Sequence, residues 1–345
     1  MELSQNTALI IVLIVTFLWG SWFQVVKHTD DYPIYAFLSW LYLFSLFIVW
    51  GSIAVLHRYM IPKGVFHEIA GDIPRAVLIF GCGAVYAIGM QIQLSVVSRV
   101  GLILSSSITS TCSILSGIMI TSVFGGISES SSLLLIILAA FLLIGGTIVC
   151  QISGVMRDKD VGKEQNRVMT DVGKAQEKDT KDAASQKKDI ILLVITSAIM
   201  IPFYSIASSF GLSTDLRPHG FSSLTCMGIL SIGALVGTSV YSAYWLTKEE
   251  KWNKVLHPGK GLPIILVMAC IAAFCHFGGN VLHSIAAPVV SVVIATGIGY
   301  SYGMWSYLWG LLYGEFKGAG KRTFAVLAGG IALFVIGVLI LTFNV

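Results

Sequence analysis

Ser153-GVMRDKDVGKEQNRVMTDVGKAQEKDTKDAASQK-Lys188 is the one long hydrophilic stretch of this chain. It carries seven acidic and nine basic side chains and almost no large apolar ones. On each side of it lie five apolar blocks, each about 20 residues long, enough to cross a hydrocarbon layer roughly 30 Å thick. That division decides the fold. Five is odd, so two copies of one five-span unit must lie in opposite orientations across a membrane. Inverted repeats of this kind are an architecture of alternating-access carriers. The expectation is an all-α polytopic membrane protein with ten transmembrane helices as two inverted five-helix repeats. Residues 1–152 form the first repeat, 153–188 a charged linker, and 189–345 the second repeat.

Composition points the same way. Only 12% of the 345 residues are charged, 55% are hydrophobic, and the mean hydropathy is +0.82. A soluble fold needs a charged exterior, near 25% of its residues. A soluble enzyme, a nucleic-acid binder and a disordered chain are therefore excluded. The six cysteines all sit inside apolar blocks, which argues against a disulfide framework.

The expected spans are Thr7–Val26, Ile34–Leu56, Ala76–Val97, Gly101–Phe124, Ser132–Ile152, Ile190–Gly211, Phe221–Leu246, Leu262–His283, Val289–Gly314 and Thr323–Phe343. The first lacks a basic n-region and a small-residue cleavage site, so it does not read as a signal peptide. Of the 22 Lys and Arg, Arg58, Lys63, Arg75 and Arg217 fall on one side and 18 on the other. The richer side should be cytoplasmic. Both termini then face outward and the linker faces the cytoplasm, in a plasma or inner membrane.

The linker holds an echo, Asp160-Val161-Gly162-Lys163 and Asp171-Val172-Gly173-Lys174. Glycine opposes helix in each copy, so the reading is a solvated, flexible connection. A phosphate-binding loop would need Gly at Val168 and Ser or Thr at Ala175; this stretch has neither, and no cofactor is expected. Sliding the first half by 189 residues puts Ser95 on Ser284, Val100 on Val289, Ser107 on Thr296 and Gly125 on Gly314. The overlay keeps span and loop in phase.

Two stretches carry a family resemblance. Leu18-Trp19-Gly20-Ser21-Trp22 lies in the first span. Gly314-Glu315-Phe316-Lys317-Gly318-Ala319-Gly320-Lys321-Arg322-Thr323 lies before the last. They resemble the drug/metabolite transporter superfamily, in its branch of rhamnose–proton symporters, glucose/ribose uptake permeases and ureide permeases. The resemblance implies ten spans, a central hydrophilic loop, outward termini and solute transport. A ureide permease would carry a phosphate-loop sequence in its central loop, and this chain departs from that.

A carrier's site is expected near the midplane, on polar or broken helices. Four places qualify. Span four carries seven hydroxyls within Ser105–Ser113, including Ser107 and Thr111, which can bond a polyol or merely let helices approach. Span nine carries three glycines in Gly297–Gly303, which weaken the helix, with Tyr300 and Trp305 as stacking surfaces. Tyr302, Trp305 and Trp309 share one face, and Trp309 reads as an interfacial anchor. Span eight carries His276 and Asn280 at depth, with His283 at its edge. Span one offers Trp19, Trp22 and Gln24, and span three offers Gln91 beside Gln93. All 18 acids lie in loops or at span ends, so proton coupling would rest on His276, whose unperturbed pKa is about 6.5. Facilitated diffusion and Na⁺ coupling remain open alternatives. Glu315 could pair with Lys317 or Arg322.

Without buried charge the solute should be neutral and hydrogen-bonding. A monosaccharide fits first, then a nucleobase or ureide, with metabolite export also open. A membrane-embedded receptor or enzyme is the alternative from another class. No nucleophile motif and no zinc-ligand spacing supports an enzyme.

Overall fold

The computed structural model describes the chain apart from residues 1–2, 30–31, 62, 101, 128–130, 170–179, 259–260 and 345; for residues 26–27, 97–100, 102–104, 106–107, 162–169 and 180–186 it describes the backbone. The first half runs α1 (Gln5–Ser21), α2 (Ile34–Met60), the short α3 (Val65–Gly71), α4 (Ile73–Val100), α5 (Leu102–Ile120) and α6 (Leu133–Met169). The second runs α7 (Thr180–Ile195), α8 (Phe203–Gly211), α9 (Ser223–Lys248), the short α10 (Trp252–Leu256), α11 (Leu262–Ala273), α12 (Gly279–Val290), α13 (Val292–Gly299), α14 (Gly303–Leu312) and α15 (Lys321–Thr342). Wide π-turns prolong α5 through Thr121–Gly125, join α7 to Ile201 through Thr196–Met200, and join α11 to α12 through Phe274–Gly278. Tighter 3₁₀ turns follow α1 at Trp22–His28 and split α13 from α14 at Tyr300–Tyr302.

Among the described residues nine helical stretches are long and apolar enough to cross a membrane, and no strand forms. The chain is an all-α polytopic membrane protein. Its outer surface is what lipid requires: Val55, Leu134, Phe141 and Val240 are exposed. Its buried polar side chains are Ser, Thr, Gln, Asn and His; among the described residues no Asp, Glu, Lys or Arg is buried.

The expected ninth span is the one absent from the nine. Val292–Leu312 is helical only in pieces, α13 and α14 around the 3₁₀ turn, as its glycines foretell. The eighth is longer than hydropathy implied. It runs from Leu262 to Val290, and Pro288 sits inside its last turn. The linker also differs from expectation. α6 continues past the apolar run to Met169 with Gly162 inside it, and α7 begins at Thr180. Residues 171–174, the second copy of the echo, lie outside the described residues.

Tertiary contacts explain the extension of α6. The Asp160 carboxylate accepts from the Gly320 N–H at 2.9 Å and the Thr323 hydroxyl at 2.6 Å, which caps the start of α15. Arg157 lies 3.7 Å from Glu315, the partner that sequence assigned to Lys317 or Arg322, and its guanidinium rests over the Phe316 ring. Elsewhere the Glu68 carboxylate accepts from the N–H and hydroxyl of Ser222, the N-cap of α9, at 3.0 and 2.8 Å.

α6 lies along α15, α9 packs on α2 and α4, and α1 packs on α12. Glycine makes the closest crossings. Gly83 meets the Leu230 carbonyl and Gly237 meets Ala84, so α4 and α9 approach backbone to backbone. Without a hydrophobic drive between helices in lipid, such close van der Waals contact supplies much of the association.

Candidate functional site

The π-turn at Phe274–Gly278 offsets the hydrogen-bond ladder of the eighth span and widens it. His276, Asn280 and His283 follow at helical spacing and point inward, with 2%, 0% and 0% exposure. Around them gather rings from five other stretches.

Trp22 stacks on His276, with ring centroids 4.6 Å apart and planes 10° apart. Tyr42 of α2 meets the same imidazole edge-on at 6.0 Å. The Tyr86 hydroxyl on α4 lies 2.7 Å from His276 Nε2. Trp19 Nε1 donates to Asn280 Oδ1 at 2.9 Å, and its ring faces His283 at 5.1 Å. The Tyr204 hydroxyl on α8 lies 3.0 Å from His283 Nδ1, and its ring is 5.7 Å from that of Tyr86. Tyr300 bonds the Ser205 hydroxyl at 3.0 Å and faces Trp19 at 6.3 Å. Each aromatic pair is worth about 0.5–1.5 kcal/mol beyond the area it buries.

Two glycines make the seat for Trp19. A Cβ at Gly279 would sit 2.8 Å from its indole, and one at Gly299 would sit 2.7 Å from it on another side. Gly117 lies against the Tyr300 ring in the same way. The glycines of spans eight and nine thus serve ring packing as well as helix weakening.

The cluster therefore joins Trp19, Trp22, His276, Asn280 and Tyr300 of the expected residues. Gln24 is 4% exposed in the 3₁₀ turn just after Trp22, and neither atom of its carboxamide has a protein partner. His276 Nδ1 and the Tyr42 hydroxyl are likewise unpartnered. Such buried groups are costly unless something bonds them.

Other expected residues lie elsewhere. Gln91 donates to the Thr238 carbonyl at 3.3 Å and accepts from the Ser242 hydroxyl at 3.0 Å, so it ties α4 to α9. Trp305 donates to the Thr16 hydroxyl at 2.8 Å, and Trp309, read as an anchor, donates to Ser21 at 2.8 Å. Their shared face is a seam along α1. Thr111 is half-buried, and no described contact joins it to the cluster. The Ser107 side chain lies outside the described residues. The Thr109 hydroxyl, also in the serine-rich stretch, accepts from Gln93 Nε2 at 3.0 Å and from Ser197 at 3.2 Å.

Sequence reasoning missed Tyr42, Tyr86, Tyr204 and Ser205, and it put His283 at the membrane edge. The helix continues seven residues beyond His283 to Val290, which places this imidazole in the interior. A cavity of about 130 Å³ opens near that end of the span, lined by Gly125, Gly126, Thr214, Asp215, Ser291 and Val292.

The geometry defines a polytopic helical membrane protein with an uncharged, aromatic, histidine-bearing centre. No family model matches the chain, and no curated relative matches it.

Proposed function

We propose that this protein is a solute carrier of ten helices in two inverted five-helix repeats, moving a small neutral polar solute by alternating access. The observation that carries the reading is the cluster itself: Trp19, Trp22, Tyr42 and Tyr86 from the first half close on Tyr204, His276, Asn280 and His283 from the second. A site built between two halves is where a rocking carrier binds.

The packing supports the repeat. With the stretches numbered one to ten, and Val292–Leu312 as the ninth, the contacting pairs exchange when five is added. First-with-eighth becomes sixth-with-third, second-with-eighth becomes seventh-with-third, and first-with-ninth becomes sixth-with-fourth. Second-with-seventh and fifth-with-tenth map onto themselves. Wide π-turns interrupt the fourth, sixth and eighth stretches and a 3₁₀ turn the ninth; those of the eighth and ninth carry His276 and Tyr300 of the cluster, where helix breaks are tolerated in membranes.

The centre holds donors, acceptors and ring faces without charge, so the solute is neutral. A monosaccharide is the first reading, in keeping with the resemblance to the rhamnose and glucose/ribose carriers. The open carboxamide of Gln24 favours a second, because an amide pairs edge to edge with a nucleobase or ureide. The positive-inside count orients the termini outward and the linker to the cytoplasm.

The test is uptake into proteoliposomes of tritiated D-glucose, D-ribose, L-rhamnose, uracil and hypoxanthine. Saturable uptake of one of them, with KM raised about 10-fold in Trp22→Ala, is the expected result. Uptake of none of them would overturn the reading.

A further inference from the structure

Two histidine–tyrosine pairs lie on one helical stretch. His276 Nε2 is 2.7 Å from the Tyr86 hydroxyl, and His283 Nδ1 is 3.0 Å from the Tyr204 hydroxyl. The histidines are seven residues apart, about 10 Å at a rise of 1.5 Å per residue. The two pairs are contiguous, because the Tyr86 and Tyr204 rings are 5.7 Å apart and the Tyr204 hydroxyl is 3.5 Å from the Asn280 carbonyl. The groups facing the imidazoles that can gain or lose a proton are the phenols of Tyr42, Tyr86 and Tyr204, with Tyr300 behind Trp19. The packed helices α1, α8, α11, α12 and α13 contain no Asp, Glu, Lys or Arg; α2 and α9 have His57, Arg58 and Lys248 only in their last turns, α4 has Arg75 and Arg99 only in its first and last turns, and the 3₁₀ turn that begins at Trp22 ends in Lys27 and His28.

We propose that His283 with Tyr204 is the second station of a proton path whose first station is His276 with Tyr86. The proposal rests on the transport reading above and deepens it by naming the co-transported ion and a residue that sequence placed at the membrane edge. At the first station the His276 imidazole takes a proton on Nδ1 and passes one from Nε2 to the Tyr86 oxygen, which releases its own towards Tyr204. At the second station the order is reversed: the Tyr204 oxygen takes that proton and passes its own to His283 Nδ1, and the imidazole releases one from Nε2. Every group ends with the number of protons it began with, and one proton has moved on. His276 Nδ1 has no protein partner, so it is open to receive. The cavity at Pro288–Val292 lies at the His283 end of the stretch, which makes His283 the station nearer that face. A tyrosine serves here because its hydroxyl both donates and accepts.

The experiment counts protons and solute in the same vesicles. Protein is reconstituted with the pH dye pyranine inside, and the five tritiated solutes named above are added outside. The parent should move protons with one of these solutes in a fixed ratio. In His283→Gln, and in Tyr204→Phe, which removes only a hydroxyl, that ratio should fall by about 10-fold or more, since a positioned proton carrier is worth at least this much. A ratio is insensitive to how much folded protein each preparation holds, so partial misfolding does not mimic the result. An unchanged ratio in both variants would overturn the second station. Solute uptake without protons in the parent would overturn the path and leave the carrier standing. No uptake of any of the five would overturn the carrier, and the path with it.

Discussion

Trp22 lies flat on His276, with planes 10° apart and centroids separated by 4.6 Å. Trp22 leaves α1 in a 3₁₀ turn, and His276 belongs to a π-turn of the eighth span. Two irregular turns from opposite halves of the chain thus meet ring to ring.

The stack predicts a graded response. Trp22→Phe keeps a ring over His276 and should keep most uptake. Trp22→Ala removes it and should raise KM for the transported solute by about 10-fold, equivalent to about 1.4 kcal/mol. Initial-rate uptake against solute concentration checks both.

Gly279→Ala and Gly299→Ala each put a methyl group within 2.8 Å of the Trp19 indole. Overpacking of this kind costs about 1–3 kcal/mol. Each variant should melt earlier in detergent than the parent. Combining either with Trp19→Phe, which shrinks the ring, should recover part of the loss.

Gln91 sits between α4 and α9 and bonds Thr238 and Ser242, away from the cluster. Gln91→Met should lower stability by about 1–2 kcal/mol, the cost of losing a buried hydrogen-bond partner. It should leave KM for solute unchanged. Thermal melting and uptake on the same preparation separate the two effects.

Asp160→Asn weakens a charge-assisted cap on α15, and Asp160→Ala removes it. The loss should be about 0.5–2 kcal/mol. Hydrogen exchange of the Gly320 amide, which now donates to Asp160 at 2.9 Å, should quicken in Asp160→Ala.

Much of the membrane architecture is legible in the sequence, because a block of some 20 apolar residues has few other uses. The interruption at Gly297–Gly303 is legible too, since glycine disfavours helix wherever it falls. His276 and Asn280 stand out as polar groups in an apolar run. What sequence does not reveal is which faces meet. Tyr86 and His276 are 190 residues apart, and no periodicity in either helix points to the other. Tyr204 looks like any other span tyrosine. Trp305 and Trp309 make a stripe that reads equally well as a stacking surface or as a seam, and Thr16 and Ser21 on α1 decide for the seam. Hydropathy alone ended the eighth span at His283, whereas the helix runs on to Val290 through Pro288.

The central claim is that the cluster lies between two halves that open in turn. Ser205 probes it directly, because it is fully buried and bonded to Tyr300 at 3.0 Å. Ser205→Cys, in a background with the six native cysteines replaced by alanine, would be exposed to a membrane-impermeant thiol reagent from each face of a vesicle separately. The account predicts labelling from both faces, each slowed when the transported solute is present. Labelling from one face only, or from neither, would contradict it.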